Sequence, residues 1–270
     1  MIKPYYRTVF IYLLFASLWI YFSDSIVAIL FRSTDAIILA QSLKGFAFVG
    51  CTSILLLLLV RSDLRRIEQV NHKLRKSYDQ TLQGWVQVMD IRHNETGVHS
   101  LRVTRMTVKL ASLMGLAGDD LTHIARGALM HDTGKVGIPD AVLIKPGRLD
   151  ANELKIMQQH PVIARDLMQD IEFLKPSIDI PYSHHERWDG SGYPEGLKGA
   201  AIPMAARLFA VIDVYDALLE ERVYKKAWPE DKAVRYIDEQ AGILFDPQVV
   251  KLFLDHYQEI KVAANQPSLF

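Results

Sequence analysis

Two apolar runs dominate the start of the chain: no charged residue occurs from Thr8 to Ser23, and none from Gly45 to Val60. As helices rising 1.5 Å per residue, each reaches roughly 24 Å, slightly under the roughly 30 Å hydrocarbon core of a bilayer. Tyr5, Tyr6, Tyr21 and Lys44 flank the runs, where interfacial side chains make up such a shortfall. The stretch Asp24 to Lys44 mixes Ile26, Val27, Ile29, Leu30, Ile37, Ile38 and Leu39 with Arg32, Ser33, Thr34 and Asp35. It reads as a short external connection lying partly in the interface, or as a tighter hairpin with helices running to about Leu30 and from about Ile37. No small-x-small cleavage site follows the first run, and a second apolar run does, which argues against a signal peptide. Lys3 and Arg7 precede the hairpin, and Arg61, Arg65, Arg66, Lys73, Arg75 and Lys76 follow it, against only Arg32 and Lys44 in the connection. Both ends are therefore expected on the cytoplasmic side of a lipid bilayer, with residues 1–62 as a two-span anchor.

After Val60 the period changes to a 3-4 spacing: Leu64, Ile67, Asn71, Leu74, Tyr78, Thr81, Trp85, Val88. This is a heptad seam with an amide at one a position, where a buried Asn selects register and pairing. It predicts a linker helix over 63–84, either pairing with a second copy of the chain as a parallel coiled coil or packing singly on its own domain. Beyond residue 90 the pattern stays helical. Leu101, Met106, Leu110 and Leu113 share one face, as do Leu121, Ile124, Ala128 and Leu129; Met204–Leu219 and Asp231–Ala241 continue the trend. Asp150 and Glu153 form a capping box opening the helix expected to carry His160. No alternating strand pattern stands out, so the expected class is all-α, with a globular domain over 85–260 and a tail over 261–270.

Composition narrows the chemistry. Thirty-one basic residues balance 31 acidic ones, so bulk charge does not hold this chain to a nucleic-acid polymer. The single cysteine, Cys51, excludes a disulfide framework and a Cys-rich zinc site. The mean hydropathy of +0.07 averages a very apolar start with an ordinary remainder.

The helical domain carries an unusual set of ligand-type side chains. Glu95 and His99 are four apart, and so would share a helix face. His131-Asp132 ends the helix from Asp119, before the helix-stopping Thr133-Gly134. His160 precedes Pro161 at a helix junction. His184-His185 precede the turn-rich Trp188-Asp189-Gly190-Ser191-Gly192-Tyr193-Pro194, and Asp213 sits in an apolar helix with Asp216 three residues on. Adjacent residues on a helix point about 100° apart, so the His-Asp and His-His pairs are expected to reach different ions of a cluster rather than chelate one. A carboxylate such as Asp132 can bridge two cations. Imidazole and carboxylate without thiolate suit Fe, Mn, Ni or Zn better than Ca or Mg. Two such ions, about 3.5–4 Å apart, activate water and clamp a phosphodiester for in-line attack. Taken singly each feature is bland; five together in one domain are not. His72, His123 and His256 are expected to be surface or packing residues, and His93 is ambiguous.

His131-Asp132-Thr133-Gly134-Lys135 and the run His184-His185-Glu186-Arg187-Trp188-Asp189-Gly190-Ser191-Gly192-Tyr193-Pro194 closely resemble the two signature motifs of HD-GYP domains. These are the bacterial cyclic di-GMP phosphodiesterases of the HD metallohydrolase superfamily. The resemblance covers roughly Thr81 to Tyr257, including 95–99, 212–218 and 245–247. It implies an HD-type helical bundle with enzyme activity; joined to the two-span anchor expected over residues 1–62, this makes a membrane-anchored enzyme of the bacterial inner membrane with its catalytic domain in the cytoplasm. The reaction implied is opening of cyclic di-GMP to pGpG, and further to GMP. By residue matching it implies His131, Asp132, His160, His184, His185 and Asp213 as metal ligands, Asp132 bridging, with Glu95 and His99 as the extra ligands of members holding three metals. The cofactors are then two or three divalent transition-metal ions, Fe or Mn first, Ni or Zn next. Lys135 matches the lysine meeting the scissile phosphate; Asp216, Arg222 and Lys225 match substrate contacts, and Tyr193 lines the cleft. Two stretches depart from the family: Arg222-Val223-Tyr224-Lys225 stands for Arg-Pro-Tyr-Arg, losing a proline but keeping both charges, and His93-Asn94 replace Asp-Pro. The exposed Gly192-Tyr193-Pro194 loop is a candidate contact for a diguanylate cyclase, as in some relatives. The competing functions are a membrane receptor that binds the dinucleotide without turnover, and a phosphodiesterase for another 3′,5′-linked cyclic dinucleotide.

Overall fold

The computed structural model describes residues 4–92, 99–221 and 226–266, and divides the chain into two compact units, Met1–Tyr78 and Asp79–Phe270. Among the described residues every regular element is helical; the only β-type contact is an isolated bridge between Ala241 and Phe245.

In the first unit, α1 (Pro4–Leu30) is followed after three residues by α2 (Thr34–Arg92), whose residues from Asp79 onward belong to the second unit. The tighter hairpin is therefore the one formed. Helix propensity carries through the mixed stretch because Arg32 and Ser33 fall in the turn itself, where the Ser33 hydroxyl accepts a hydrogen bond from the Ala36 amide at 3.4 Å. Arg7 donates to Asp63 at 2.5 Å, Trp19 meets Phe48 with ring centroids 6.0 Å apart, and Lys44 pairs with Asp24. The paired residue numbers rise on one helix as they fall on the other, which defines one antiparallel register. Between the ion pairs, apolar side chains such as Phe10 and Phe46 face outward. Both helices are long and apolar enough to cross a membrane.

The seam read along α2 is not the buried face of that helix. Leu64, Ile67, Leu74, Tyr78, Trp85 and Val88 are all exposed, whereas Asp79, Leu82, Val86 and Met89 are buried. The packed face lies one position round the helix from the heptad, because it is chosen by what it meets: Leu82 and Val86 join Leu129, Met130, Met168 and Leu174 in a separate apolar cluster. The buried pair Asp79–Arg126 (2.9 Å) adds a charged tie there, with the Arg126 guanidinium over the Phe173 ring.

The second unit continues with α3 (His99–Leu113), α4 (Asp119–Leu129), α5 (Asp140–Leu143), α6 (Ala151–Met157), α7 (His160–Met168), α8 (Asp179–Ser183), α9 (Met204–Leu219), α10 (Glu230–Glu239), α11 (Pro247–Asp255) and α12 (Tyr257–Ala263). Helix α9 is apolar on nearly every side and is accordingly the central helix: Leu208, Phe209, Val211 and Ile212 are fully buried against Met106 and Leu110 of α3 and Phe253 of α11. Its Arg207 pairs at 2.7 Å with Asp246, which also caps α11.

The capping box forms as expected, Asp150 accepting from the Asn152 and Glu153 amides and Glu153 accepting from the Asp150 amide. It opens α6, however, and His160 begins the separate helix α7. Pro161 has no amide to continue α6 but is well placed in the first turn of a new helix. Gly134 sets the approach of these pieces. A Cβ there would lie 1.8 Å from the His160 carbonyl oxygen and 2.7 Å from the Ala164 amide nitrogen, so only glycine lets the 3-10 turn Thr133–Gly137 lie on α7.

Candidate metal centre

Four helix ends and the middle of α9 aim their side chains at one point. His131 and Asp132 follow α4, His160 starts α7, His184 and His185 follow α8, His99 starts α3, and Asp213 projects from α9. Their ligating atoms fall into two groups, His160–His184–His185 and His99–His131–Asp213, each with atoms within 4.8 Å of one another. Asp132 stands between the groups. One carboxylate oxygen lies 3.1 Å from His131 Nε2, and the other 3.5 Å from His160 Nε2 and 4.0 Å from His184 Nε2.

His184 and His185 therefore belong to the same group, contrary to the expectation that neighbours reach different ions. The 100° rule applies inside a helix. Here α8 ends at Ser183, His184 is its cap and His185 lies beyond it, so the two rings come to 4.0 Å centroid to centroid.

Backbone carbonyls orient much of the cluster. Nδ1 of His131 donates to the Ala128 carbonyl (2.9 Å), that of His160 to Met157 (2.8 Å), and that of His184 to Ile180 and Pro181 (both 3.1 Å). This places the proton on Nδ1 and turns the Nε2 lone pair inward, the arrangement of a ligating imidazole. The Nε2 atoms of His160 and His184 then face each other at 3.3 Å. Two lone pairs at that distance repel unless a cation or proton lies between them, and so the donor set fits a metal ion. Burial lowers all three imidazoles of this group, His184 well below its usual range and His185 to about 3, with neighbouring imidazole charge adding to the effect.

The other group is carboxylate-rich. His99 Nδ1 donates to Asp216 at 2.6 Å and its Nε2 lies 3.4 Å from Asp213. Burial opposes its charging, but the hydrogen bonds to Asp213 and Asp216 win and raise it to about 10. For Asp213 burial pulls upward, and the hydrogen bond from His99 with the charge on His131 holds it far below the carboxylate range. Asp132 is likewise held low, burial being outweighed by Lys135, whose ammonium donates to it at 2.6 Å, and by His131.

Of the remaining predicted residues, Tyr193 stacks on His185 at 4.7 Å between centroids. Asp216 is buried beside His99: Arg102 donates to both its oxygens, at 2.5 and 2.7 Å, and His99 to one of them. Glu95, Arg222 and Lys225 lie outside the described residues, as does His93. His72 is exposed, His123 is half-buried, and His256 pairs with Glu259 at the surface. Sequence reasoning missed Arg102, Glu220 and Glu186. Arg102 and Glu220 pair beside Asp216. The buried Glu186 carboxylate accepts from the amides of Glu195, Gly196 and Leu197, folding the Tyr193 loop back over the histidines. The turn is tight enough that a Cβ on Gly192 would lie 2.4 Å from the Arg187 amide nitrogen. An acidic residue directly after a double histidine was the available signal for Glu186.

Residues 71–249 match the HD domain family. The chain belongs to it. RpfG, a cyclic di-GMP phosphodiesterase response regulator of Xanthomonas campestris pv. campestris, is 41% identical over 189 residues, 69% of this chain and 50% of that protein. The 3′3′-cGAMP-specific phosphodiesterase 2 of Vibrio cholerae serotype O1 is 38% identical over 197 residues, 72% of this chain and 38% of its own. This HD domain chain thus spans half or less of the length of these curated relatives. A crystal structure of a Vibrio cholerae cyclic GMP-AMP-specific phosphodiesterase superposes with a TM-score of 0.54 at 17% identity, over 69% of this chain and 50% of that one, and shows the shared helical fold.

Proposed function

We propose that this HD domain protein is a metal-dependent phosphodiesterase that hydrolyses cyclic di-GMP to pGpG, and onward to GMP. The observation that carries the reading is the pair of three-residue groups joined by Asp132, with Lys135 at its rim. His131, Asp132, His160, His184, His185, His99 and Asp213 would hold two or three ions, Fe or Mn before Ni or Zn, with Glu95 as a further ligand. Bound ions supply Lewis acidity toward the phosphoryl oxygens and lower the pKa of water. The protein does the rest. Backbone carbonyls hold the imidazoles in the ligating tautomer, and Lys135 turns its ammonium from Asp132 toward the phosphate as negative charge develops. Tyr193, stacked on His185, would meet a base or ribose of the substrate. Arg222 and Lys225 pair with the dinucleotide phosphates. The position of Asp216 supports an orienting role for His99 in place of a substrate contact.

For the anchor, Asp24 lies 17 positions after Arg7, and the ion pairs that these two make bracket the outward-facing apolar band. At 1.5 Å per residue that band is about 26 Å thick, close to a bilayer core. This supports two spans in a bacterial inner membrane with the second unit cytoplasmic. The exposed Leu64–Val88 seam supports pairing with a second copy of the chain, and the Gly192-Tyr193-Pro194 loop remains the candidate contact for a diguanylate cyclase.

One observation favours a second substrate: relatives of nearly equal similarity carry cyclic di-GMP and 3′3′-cGAMP names. Anaerobically purified, metal-analysed protein assayed in parallel on both dinucleotides decides between them. Binding of either without any product, at full metal content, would instead establish a receptor.

A further inference from the structure

The last residue of α2, Arg92, is used by no part of the reading above. Its guanidinium reaches the turn that follows His131-Asp132. One terminal nitrogen donates to the carbonyls of Lys135 (3.4 Å) and Val136 (2.9 Å), the other to the Ile138 carbonyl (3.1 Å) and to the Asp140 carboxylate (2.7 Å). The Lys135 carbonyl also accepts the Ile138 amide at 3.1 Å, the bond that ends the 3-10 turn Thr133–Gly137, and the carbonyls that follow lie where such a turn runs out of donors of its own. A planar fork of five donors can hold several diverging carbonyls at once, whereas an ammonium acts as a single point.

The grip falls on the residue whose side chain matters. The Lys135 backbone is held through its carbonyl, and from that backbone its ammonium reaches Asp132 at 2.6 Å. On its other side the turn lies on α7 through Gly134. The end of α2 is thus a second support of the turn, beside α7. We propose that Arg92 is a positioning residue for Lys135, so that the end of α2 sets where the lysine meets the substrate phosphate. The proposal rests on the phosphodiesterase reading for its kinetic consequence, but not for its structural one.

The test uses the full chain in detergent. Arg92→Ala is expected to lower kcat about tenfold or more while KM and metal content hold, since small misplacements of a reacting group are costly. Arg92→Lys is expected to recover part of the loss. In a Lys135→Ala background, Arg92→Ala is expected to cost nothing further, because two residues acting through one group are not additive. Multiplying losses, or an unchanged kcat in Arg92→Ala, would overturn the proposal. Independently of turnover, amide hydrogen exchange over 133–138 is expected to quicken about tenfold in Arg92→Ala, with α9 unaffected. Unchanged exchange would overturn it too. A wild-type protein inert on every cyclic dinucleotide would sink the functional reading and leave the exchange measurement to decide this one.

Discussion

The two halves of the metal centre are built on opposite electrostatic plans. Around His160, His184 and His185 the partners are backbone carbonyls and other imidazoles, and burial holds the rings neutral. Around His99, His131 and Asp213 carboxylates dominate, with a backbone carbonyl only on His131 Nδ1, and His99 attracts a proton up to about pH 10. One half offers lone pairs with little charge; the other offers negative charge that draws any cation. A cluster assembled this way should fill unequally, the carboxylate half gaining its ion first and Asp132 tying the second ion to it.

The largest expected effect is from Asp132→Ala, which removes the residue common to both halves. Turnover should fall on the order of a thousandfold and metal content should drop below that of any other single variant, measured by product assay and elemental analysis. Substantial activity with full metal content would end the two-group account. Next come His185→Ala and His99→Ala as a pair. Each should cost about a hundredfold in turnover, but under limiting metal His185→Ala should retain an ion that His99→Ala loses. Equal retention would erase the contrast between the halves.

A smaller change tests what lies behind one half. Asp216→Asn keeps the shape and removes the charge facing His99 and Arg102. Metal affinity should weaken about 10- to 100-fold with KM for the dinucleotide nearly unchanged. A large rise in KM with metal affinity intact would return Asp216 to the substrate.

The smallest effect is in the metal-free protein, where the two halves should respond to pH in opposite directions. His185 has a folded pKa of about 3, below the ordinary 6.5, so its contribution is complete above 6.5 and is lost as pH falls toward 3. His99 has a folded pKa of about 10, so its contribution is complete below 6.5 and is lost as pH rises toward 10. Melting temperature of chelator-treated protein should peak between these limbs. His99→Gln should flatten the alkaline limb alone, and a variant curve that keeps that limb would contradict the assignment.

Much of this was readable from residue order. The apolar run of Met204–Leu219 marked a helix, and Asp213 within it marked a carboxylate that needed a partner, whereas packing made that helix the central one. The Asp150/Glu153 box marked a true helix start, although Pro161 decided which helix carries His160. Other features were hidden for a specific reason. Arg92 and Arg102 look like surface charges in sequence, because their partners lie 43 to 118 residues away. The heptad along α2 is a real pattern, but the buried face is one position off it, since the neighbours that bury Leu82 and Val86 come from α4 and α7.

Sequence alone determined the helical class, the two apolar runs, the break points at Gly134 and Pro161, and the residue types suited to a metal, because each depends on local spacing, backbone freedom or side-chain chemistry. Tertiary structure alone decided which imidazoles come together, which carboxylate stands between the two groups and which lies beside His99, and what the end of α2 grips. Those are relations between atoms far apart along the chain, and only packing sets the distances between them.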